Sequence, residues 1–454
     1  MVFSEILQRF VDQRPIAVMT RIVLEKQFSD QFFDTVFEET AQEQFTRELA
    51  FSTCAKIMAQ VTLGNAPSVH AAFVKDQENM AASAVSLYAK LKNVEPRVCE
   101  ELVRRSAADL TAVVGFLEKR KEPVPGYRLR IVDGNVLAAS EHRLKELRGS
   151  KTAAMPGLTL AVYDYATGLI SDLVACEDGQ ASERRLFPEL LGRIQPRDLV
   201  MTDRNFCTAQ TLTGLSERKA AFLIRYHAGL SLTPEGSVKK GGRCRTGTVS
   251  EQNVRLKCGF QCRAITITRD KPLKAGGNEV VLLTNLPRKK ASARRLADLY
   301  LQRWSIEEAF RQLTEYLSCE VRTLGYPKAA LFAFSLAVLG YNTLTCVKAA
   351  LAAAQSDKSE EWSAYYLAWE VKSTFEGMLI AVPPAEWAAF GTMSNEALAK
   401  VLHEIAQGVN HAHYAKHKRG PKKSVEDKRR KSYHVSTAKV LDKRKLRKTK
   451  AAAS

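Results

Sequence analysis

Over residues 3 to 119, apolar side chains return every three or four positions, the spacing of helices that each bury one face. The clearest runs are 3–10, 27–38, 51–62 and 96–119, with shorter pieces at 69–74 and 83–91 on either side of breaks such as Asn65-Ala-Pro-Ser68. The pattern predicts a helical N-terminal region over 1–120. Beyond the charged, proline-broken stretch 119–126 the period shortens to that of strands. One strand is predicted at 127–132 and a hairpin at 158–165 and 169–175, turned by Ala166-Thr-Gly168. A helical piece at 182–194 then leads to a further strand at 199–202.

Three antiparallel strands, a helix and another strand form the order of a ribonuclease-H-like α/β core. From 206 to 278 the chain is richer in glycines and short strands (221–225, 247–254, 262–268), with a basic loop at 239–245. This span reads as a β-rich insertion, after which a strand at 280–283 rejoins the core. Helices resume at Ser292 and run, with a break near Gly325-Tyr-Pro327, to about residue 409. The predicted plan is a helical N-terminal DNA-binding domain (1–120), a core from 127–205 and 279–325, the insertion 206–278, a C-terminal helical region 326–410 and a tail 411–454. The window 329–347 has no charged residue and is long enough to span a bilayer. Ser335, Tyr341, Asn342, Thr343 and Thr345 within it favour a buried helix instead.

Charge narrows the partners. The 454 residues carry a formal charge of +19 and a pI near 9.5. Sixteen Lys or Arg against three Asp or Glu fall within residues 416–450. Such a tail is predicted to stay disordered until it meets an anion, and phosphate backbone is the partner its density suits, without base specificity. An anionic membrane surface is the weaker alternative. Nine scattered cysteines, an odd number, point to reduced thiols and a cytoplasmic chain, and the N-terminus lacks the apolar core of an export signal.

The candidate chemistry lies in three acids. Asp133 and Asp203 each end a predicted strand, and Glu307 lies on a predicted helix with Tyr300, Arg303, Arg311 and Thr314 along one polar stripe. Leu299, Ile306, Phe310, Leu313 and Leu317 form an apolar stripe beside it. Glu308 is the rival acid, but only Glu307 shares the stripe of Tyr300 and Arg303. Two strand-end aspartates and a helix glutamate are the parts of a two-metal carboxylate site. Mg2+, for which Mn2+ can substitute, suits such oxygen ligands and would serve phosphodiester chemistry. Asp164 and Asp172 are assigned to the hairpin rather than to the metal, and Cys258-Gly-Phe-Gln-Cys262 lacks the second half of a zinc site.

Tyr300, Arg303 and Glu307 at this spacing, IVDGN around Asp133, SEHRLKELR after it, TDRNF around Asp203 and the tail motifs KRGPKK and HVSTAKVL resemble the insertion-sequence-four family of bacterial DDE transposases. The likeness extends to FSTCAKIM and PSVHAAF near the N-terminus. The resemblance implies cleavage and strand transfer at the ends of a mobile element, double-stranded DNA as partner (terminal inverted repeats and target), and a homodimeric synaptic complex in the bacterial cytoplasm. It implies that Asp133, Asp203 and Glu307 bind two metal ions and that Tyr300 and Arg303 contact DNA. His142 and Arg143, just past the first acid, are further candidates for phosphate contact. Two departures stand out. The family signature carries a lysine seven positions after the glutamate, where this chain has Thr314, leaving Arg311 as a substitute phosphate ligand. No tryptophan lies between Asp203 and Arg303, so Phe222, Tyr226 or Phe260 would have to stack on a displaced base. A nuclease that cuts without joining, and an inactive DNA-binding relative, are the alternatives.

Overall fold

The computed structural model describes residues 3–46, 48–79, 82–117, 120–137, 157–179, 181–272, 277–321, 324, 326–355 and 362–417. Met1–Tyr414 form one compact unit and Ala415–Ser454 a second, of which only 415–417 are described. His142, Arg143 and the basic tail from residue 418 therefore lie outside the described residues.

Seven helices come first: α1 (Glu5–Gln13), α2 (Pro15–Gln27), α3 (Asp30–Thr40), α4 (Phe51–Thr62), α5 (Val69–Lys75), α6 (Ala84–Asn93) and α7 (Pro96–Phe116). Their starts follow from local chemistry. Ser4, Ser29, Ser68 and Ser83 each accept a hydrogen bond from a backbone N–H in the first turn that follows, and Pro15 and Pro96 open α2 and α7, where a missing N–H costs nothing.

The middle of the chain builds a mixed sheet from β1 (Arg128–Val136), β2 (Leu158–Asp164), β3 (Ile170–Cys176), β4 (Asp198–Thr202), β5 (Ala221–Arg225), β6 (Leu232–Cys244), β7 (Gly247–Leu256), β8 (Gln261–Arg269) and β9 (Glu279–Thr284). Helix α8 (Glu183–Leu191) precedes β4, and α9 (Ala209–Glu217) precedes β5. The strand order is β3-β2-β1-β4-β5-β9-β8-β7-β6. β1 runs parallel to β4, and β4 parallel to β5; the other pairs are antiparallel. Strand β5, inside the span read as insertion, thus pairs with β4. β6 to β8 continue the same sheet through β9.

Alternation along the strands assigns the two faces. Leu129, Ile131, Leu199, Met201 and Leu223 join one apolar cluster with Leu299, Ile306 and Leu313, whereas Val132, Val200 and Phe222 join another with Phe187 and Leu190 of α8. The last helices are α10 (Ala293–Leu299), α11 (Trp304–Tyr316), α12 (Pro327–Ala354), α13 (Ala364–Ala381), α14 (Pro384–Gly391) and α15 (Asn395–Gln407). Helix α12 packs on α2, α4, α7 and α15. Its apolar window is 89% buried by these neighbours, the condition of a core helix.

Three expectations change. Of the basic loop expected at 239–245, residues 239–244 are instead the end of β6, the exposed outer strand of the sheet, and only Arg245 lies in the turn that follows. Helices α2 and α9 lie where none was predicted. The run through 300–314 is not one helix: Tyr300–Arg303 form a 3₁₀ turn between α10 and α11.

Candidate active site

Strand register brings the two aspartates together. The last registered pair of β1 and β4 is Ile131 with Met201, and Asp133 and Asp203 each lie two residues beyond it. Neighbouring strands run about 4.8 Å apart, so the two residues lie side by side, Asp203 just past β4 and Asp133 still within β1, which runs beyond the expected end at 132 and pairs Asp133 with Ala161. By alternation both share the face of Ile131 and Met201, the face on which Ile306, Ala309 and Leu313 of α11 are buried.

The 3₁₀ turn aims the third acid. With three residues per turn, Tyr300 and Arg303 stand one above the other. The Tyr300 hydroxyl donates to the carbonyl of Thr202 at 3.2 Å, anchoring the turn to the end of β4. Arg303 then reaches two carboxylates: its Nη1 lies 3.2 Å from Asp133 Oδ2 and its Nη2 lies 2.6 Å from Glu307 Oε1. The guanidinium also stands over the ring of Trp304, 5.3 Å from its centre, and that ring is 62% exposed.

Electrostatics place the remaining aspartate in the same group. Burial pushes the Asp133 carboxyl up to about 7; Arg303 opposes the rise, while the charges of Asp203 and Glu183 add to it. Burial likewise pushes the Tyr300 phenol up, with Asp203 and Asp133 contributing. Burial works against the charge on Arg303, yet Tyr300, Glu307 and Asp133 hold it above the usual arginine value. The backbone N–H of Gly134 donates to Asp133 Oδ1 at 3.0 Å, and that of Asn205 to Asp203 Oδ1 at 2.7 Å. Asp133 is thereby braced by the next residue of its own strand, and Asp203 by the 3₁₀ turn that follows it.

The donor chemistry fits divalent ions, since all three acids offer hard oxygen ligands, and among the described residues Arg303 is the cation paired with two of them. Among the described residues, however, no three His, Cys, Asp or Glu side chains are disposed to hold an ion as they stand. Asp133 and Glu307 are bridged by Arg303 instead, with Asp203 beside Asp133.

Other candidates are placed elsewhere. Arg311 turns away from Glu307 and pairs with Glu308 and Glu315, on the far edge of α11. Thr314 donates its hydroxyl to the carbonyl of Phe310 in its own helix. Phe222 is fully buried and cannot stack on a base; Phe260 packs against it, and the Tyr226 hydroxyl donates to the Leu230 carbonyl. Asp164 is buried at the hairpin, where it accepts from Arg128 Nε at 2.6 Å and from the Thr167 N–H at 3.0 Å. Asp172 pairs with Arg193 at 3.1 Å. All nine cysteines are free.

One residue at the site carries no sequence signal. Glu183, first in α8, accepts from Asn205 Nδ2 at 2.5 Å, and Arg184 beside it donates to the Asn205 carbonyl. Nothing in its spacing separates it from the other acids of the chain.

Comparison with known proteins adds two findings. The chain is 26% identical over 202 residues to a probable transposase for insertion sequence element IS5377 of Geobacillus stearothermophilus, a match that covers 42% of this chain and 48% of that protein. The matched part thus spans about half the length of that relative. Residues 124–342 match the family described as the transposase DDE domain, a segment that contains Asp133, Asp203 and Glu307 together with the whole sheet, and both likenesses support a DDE transposase.

Proposed function

We propose that this chain is a transposase of the insertion-sequence-four group, cleaving DNA at the ends of its element and joining them to target DNA. The observation that supports the reading is the bridge from Arg303 to Asp133 and Glu307, remote in sequence, with the charge of Asp203 acting on Asp133 from the adjacent strand. Strands in the order β3-β2-β1-β4-β5 suit a ribonuclease-H-like core, in which acids at the ends of adjacent parallel strands face a helix carrying the third.

In this reading Asp133, Asp203 and Glu307 hold two divalent ions, Mg2+ or Mn2+. Such ions lower the pKa of attacking water or a 3′-hydroxyl and offset charge on the leaving oxygen. Arg303 is the cation that balances the acids before DNA arrives, and it passes to a backbone phosphate when they are occupied. Tyr300 keeps the turn on β4 so that Arg303 and Glu307 stay in phase with the aspartates. The parallel pairing of β1 with β4 would keep Asp133 and Asp203 side by side as ligands. Water first breaks the P–O bond at the element end, freeing a 3′-hydroxyl; that hydroxyl then attacks a target phosphodiester in line, and the displaced oxygen leaves with a proton. Two copies acting on paired ends would form the synaptic complex, and the basic tail would hold flanking DNA.

The test uses labelled duplex carrying the inverted repeats that flank the gene, with Mg2+ or Mn2+. The expected result is nicking at the repeat boundary, a joined product with target DNA, and loss of both in Asp133→Asn. Full activity in Asp133→Asn overturns the assignment, and cleavage without any joined product reduces the reading to a nuclease.

A further inference from the structure

We propose that Glu183 is a positioning residue of the carboxylate site: it clasps the strand of Asp133 to the turn of Asp203 from behind the sheet. This deepens the functional reading above and rests on it.

Three contacts define the clasp. A Cβ on Gly134 would fall 2.0 Å from Glu183 Oε1, so the carboxylate lies directly against the β1 backbone one residue after Asp133, where any larger residue would displace it. The other oxygen, Oε2, accepts from Asn205 Nδ2 at 2.5 Å. The backbone N–H of that same asparagine holds Asp203 Oδ1 at 2.7 Å. One side chain therefore touches the segment carrying each aspartate, and the Arg184 contact to the Asn205 carbonyl holds the turn a second time.

Alternation shows that Glu183 works from the opposite side. Val132 and Gly134 share a sheet face, and Val132 packs with Phe187 and Leu190 of α8. Asp133 points the other way, toward Arg303. Glu183 is thus placed to set the spacing of the two aspartates without itself entering the gap between them. Residues that orient metal ligands in this manner typically change metal affinity about 10- to 100-fold when removed.

The experiment measures Mn2+ binding to the full-length chain by calorimetry, alongside DNA affinity and cleavage, in Glu183→Ala, Glu183→Gln, Gly134→Ala and Asp203→Asn, each checked by thermal unfolding. Glu183→Ala is expected to weaken Mn2+ binding about tenfold and to raise the Mn2+ needed for half-maximal cleavage in parallel, with DNA affinity unchanged. Glu183→Gln, whose amide oxygen still accepts from Asn205, should stay within about threefold of wild type, well short of the tenfold loss on removing the side chain. Gly134→Ala, which pushes the carboxylate aside, should copy Glu183→Ala. The proposal is overturned by Glu183→Ala binding Mn2+ as wild type does, and equally by Glu183→Gln losing as much as Glu183→Ala, which would mean that the charge itself binds metal. If Asp203→Asn abolishes Mn2+ binding while Glu183→Ala does not, only the clasp falls. If Asp203→Asn binds as wild type does, the carboxylate site falls as well.

Discussion

Replacing Arg303 with alanine separates two roles that its position confounds. At an effective dielectric near 20, charges 3.2 and 2.6 Å apart attract by roughly 5 and 6 kcal/mol before any desolvation cost. The net worth is smaller. The Asp133 pair, with 13% and 17% of its side chains exposed, belongs with charge-assisted bonds that contribute about 2–3 kcal/mol. Glu307 is 34% exposed, so its pair counts as a surface bridge worth about 0–1 kcal/mol. Arg303→Ala should therefore destabilise the metal-free chain by about 3 kcal/mol. The second effect has the opposite sign: divalent ions in wild type must displace the guanidinium, and in the variant they need not. If the whole of that energy is released, Mn2+ binds up to about a hundredfold more tightly to Arg303→Ala, since 1.36 kcal/mol is a factor of ten. Thermal unfolding with and without Mn2+, together with calorimetric titration, reads both quantities. Metal binding that is unchanged or weaker in Arg303→Ala would refute the reasoning, because it would make Arg303 a support of the ligand geometry rather than a stand-in for the ions.

Two further outcomes concern buried charge. Glu370 is 1% exposed; it accepts from the Ala17 N–H at 3.1 Å and from the Tyr414 hydroxyl, and so caps α2, whose own N-cap residue makes no side-chain cap. Burial raises its pKa in the folded state, so its stabilising contribution is full below the unfolded value near 4.5 and is lost as pH rises through the folded one. Urea midpoints of wild type should fall with pH above about 4.5 relative to Glu370→Gln, while Glu370→Ala should cost about 2–3 kcal/mol; parallel pH profiles for wild type and Glu370→Gln would contradict this. Arg263 is 7% exposed, pairs with Glu251 at 2.6 Å and donates to the carbonyls of Leu286 and Ala291 at 2.7 and 3.2 Å. Its removal should cost about 3–5 kcal/mol, and Arg263→Lys should recover little, because the three N–H groups of an ammonium leave one nitrogen and cannot span acceptors that the guanidinium reaches from both of its ends; a variant as stable as wild type would show the pairing to be dispensable.

The parts legible from sequence are those whose pattern is local. Helix α4 falls on residues 51–62 as predicted, because its apolar spacing is regular. Helix α2 escapes notice for the reverse reason: Pro15–Gln27 is buried on nearly every side, so apolar residues fill the sequence without a period. Strand β6 is outermost and exposed on most positions, so no alternation marks it, and its lysines and glycines imitate a loop. Asp203 is legible because it follows the last residue of β4; Asp133 stands out for the same expected reason, although β1 runs on past it to Val136. The pairing of Arg303 with Asp133 joins residues 170 positions apart, which no spacing rule encodes. Arg311 misleads because the stripe is correct but local competition decides: Glu308 at i−3 and Glu315 at i+4 both claim it.

The sheet explains why Glu307 arrives where it does. After β5 the chain travels through β6, β7 and β8 and returns on β9, which registers Thr284 against Leu223 of β5. The outgoing chain therefore leaves the sheet with only β5 between it and β4, and the Arg263 bonds to Leu286 and Ala291 fix the path into α10. At the far end the N–H of Arg245, in the turn between β6 and β7, donates to Asp298 Oδ1 of α10 at 2.8 Å. Helix α10 is thus held from both sides before the 3₁₀ turn begins, and the turn carries Tyr300 onto Thr202. The β-rich span does more than lengthen the sheet: it sets the angle at which Arg303 and Glu307 meet the aspartates. A lesion in it, such as Arg263→Ala, should accordingly weaken the site from a distance, with Mn2+ affinity falling even at temperatures where the chain stays folded.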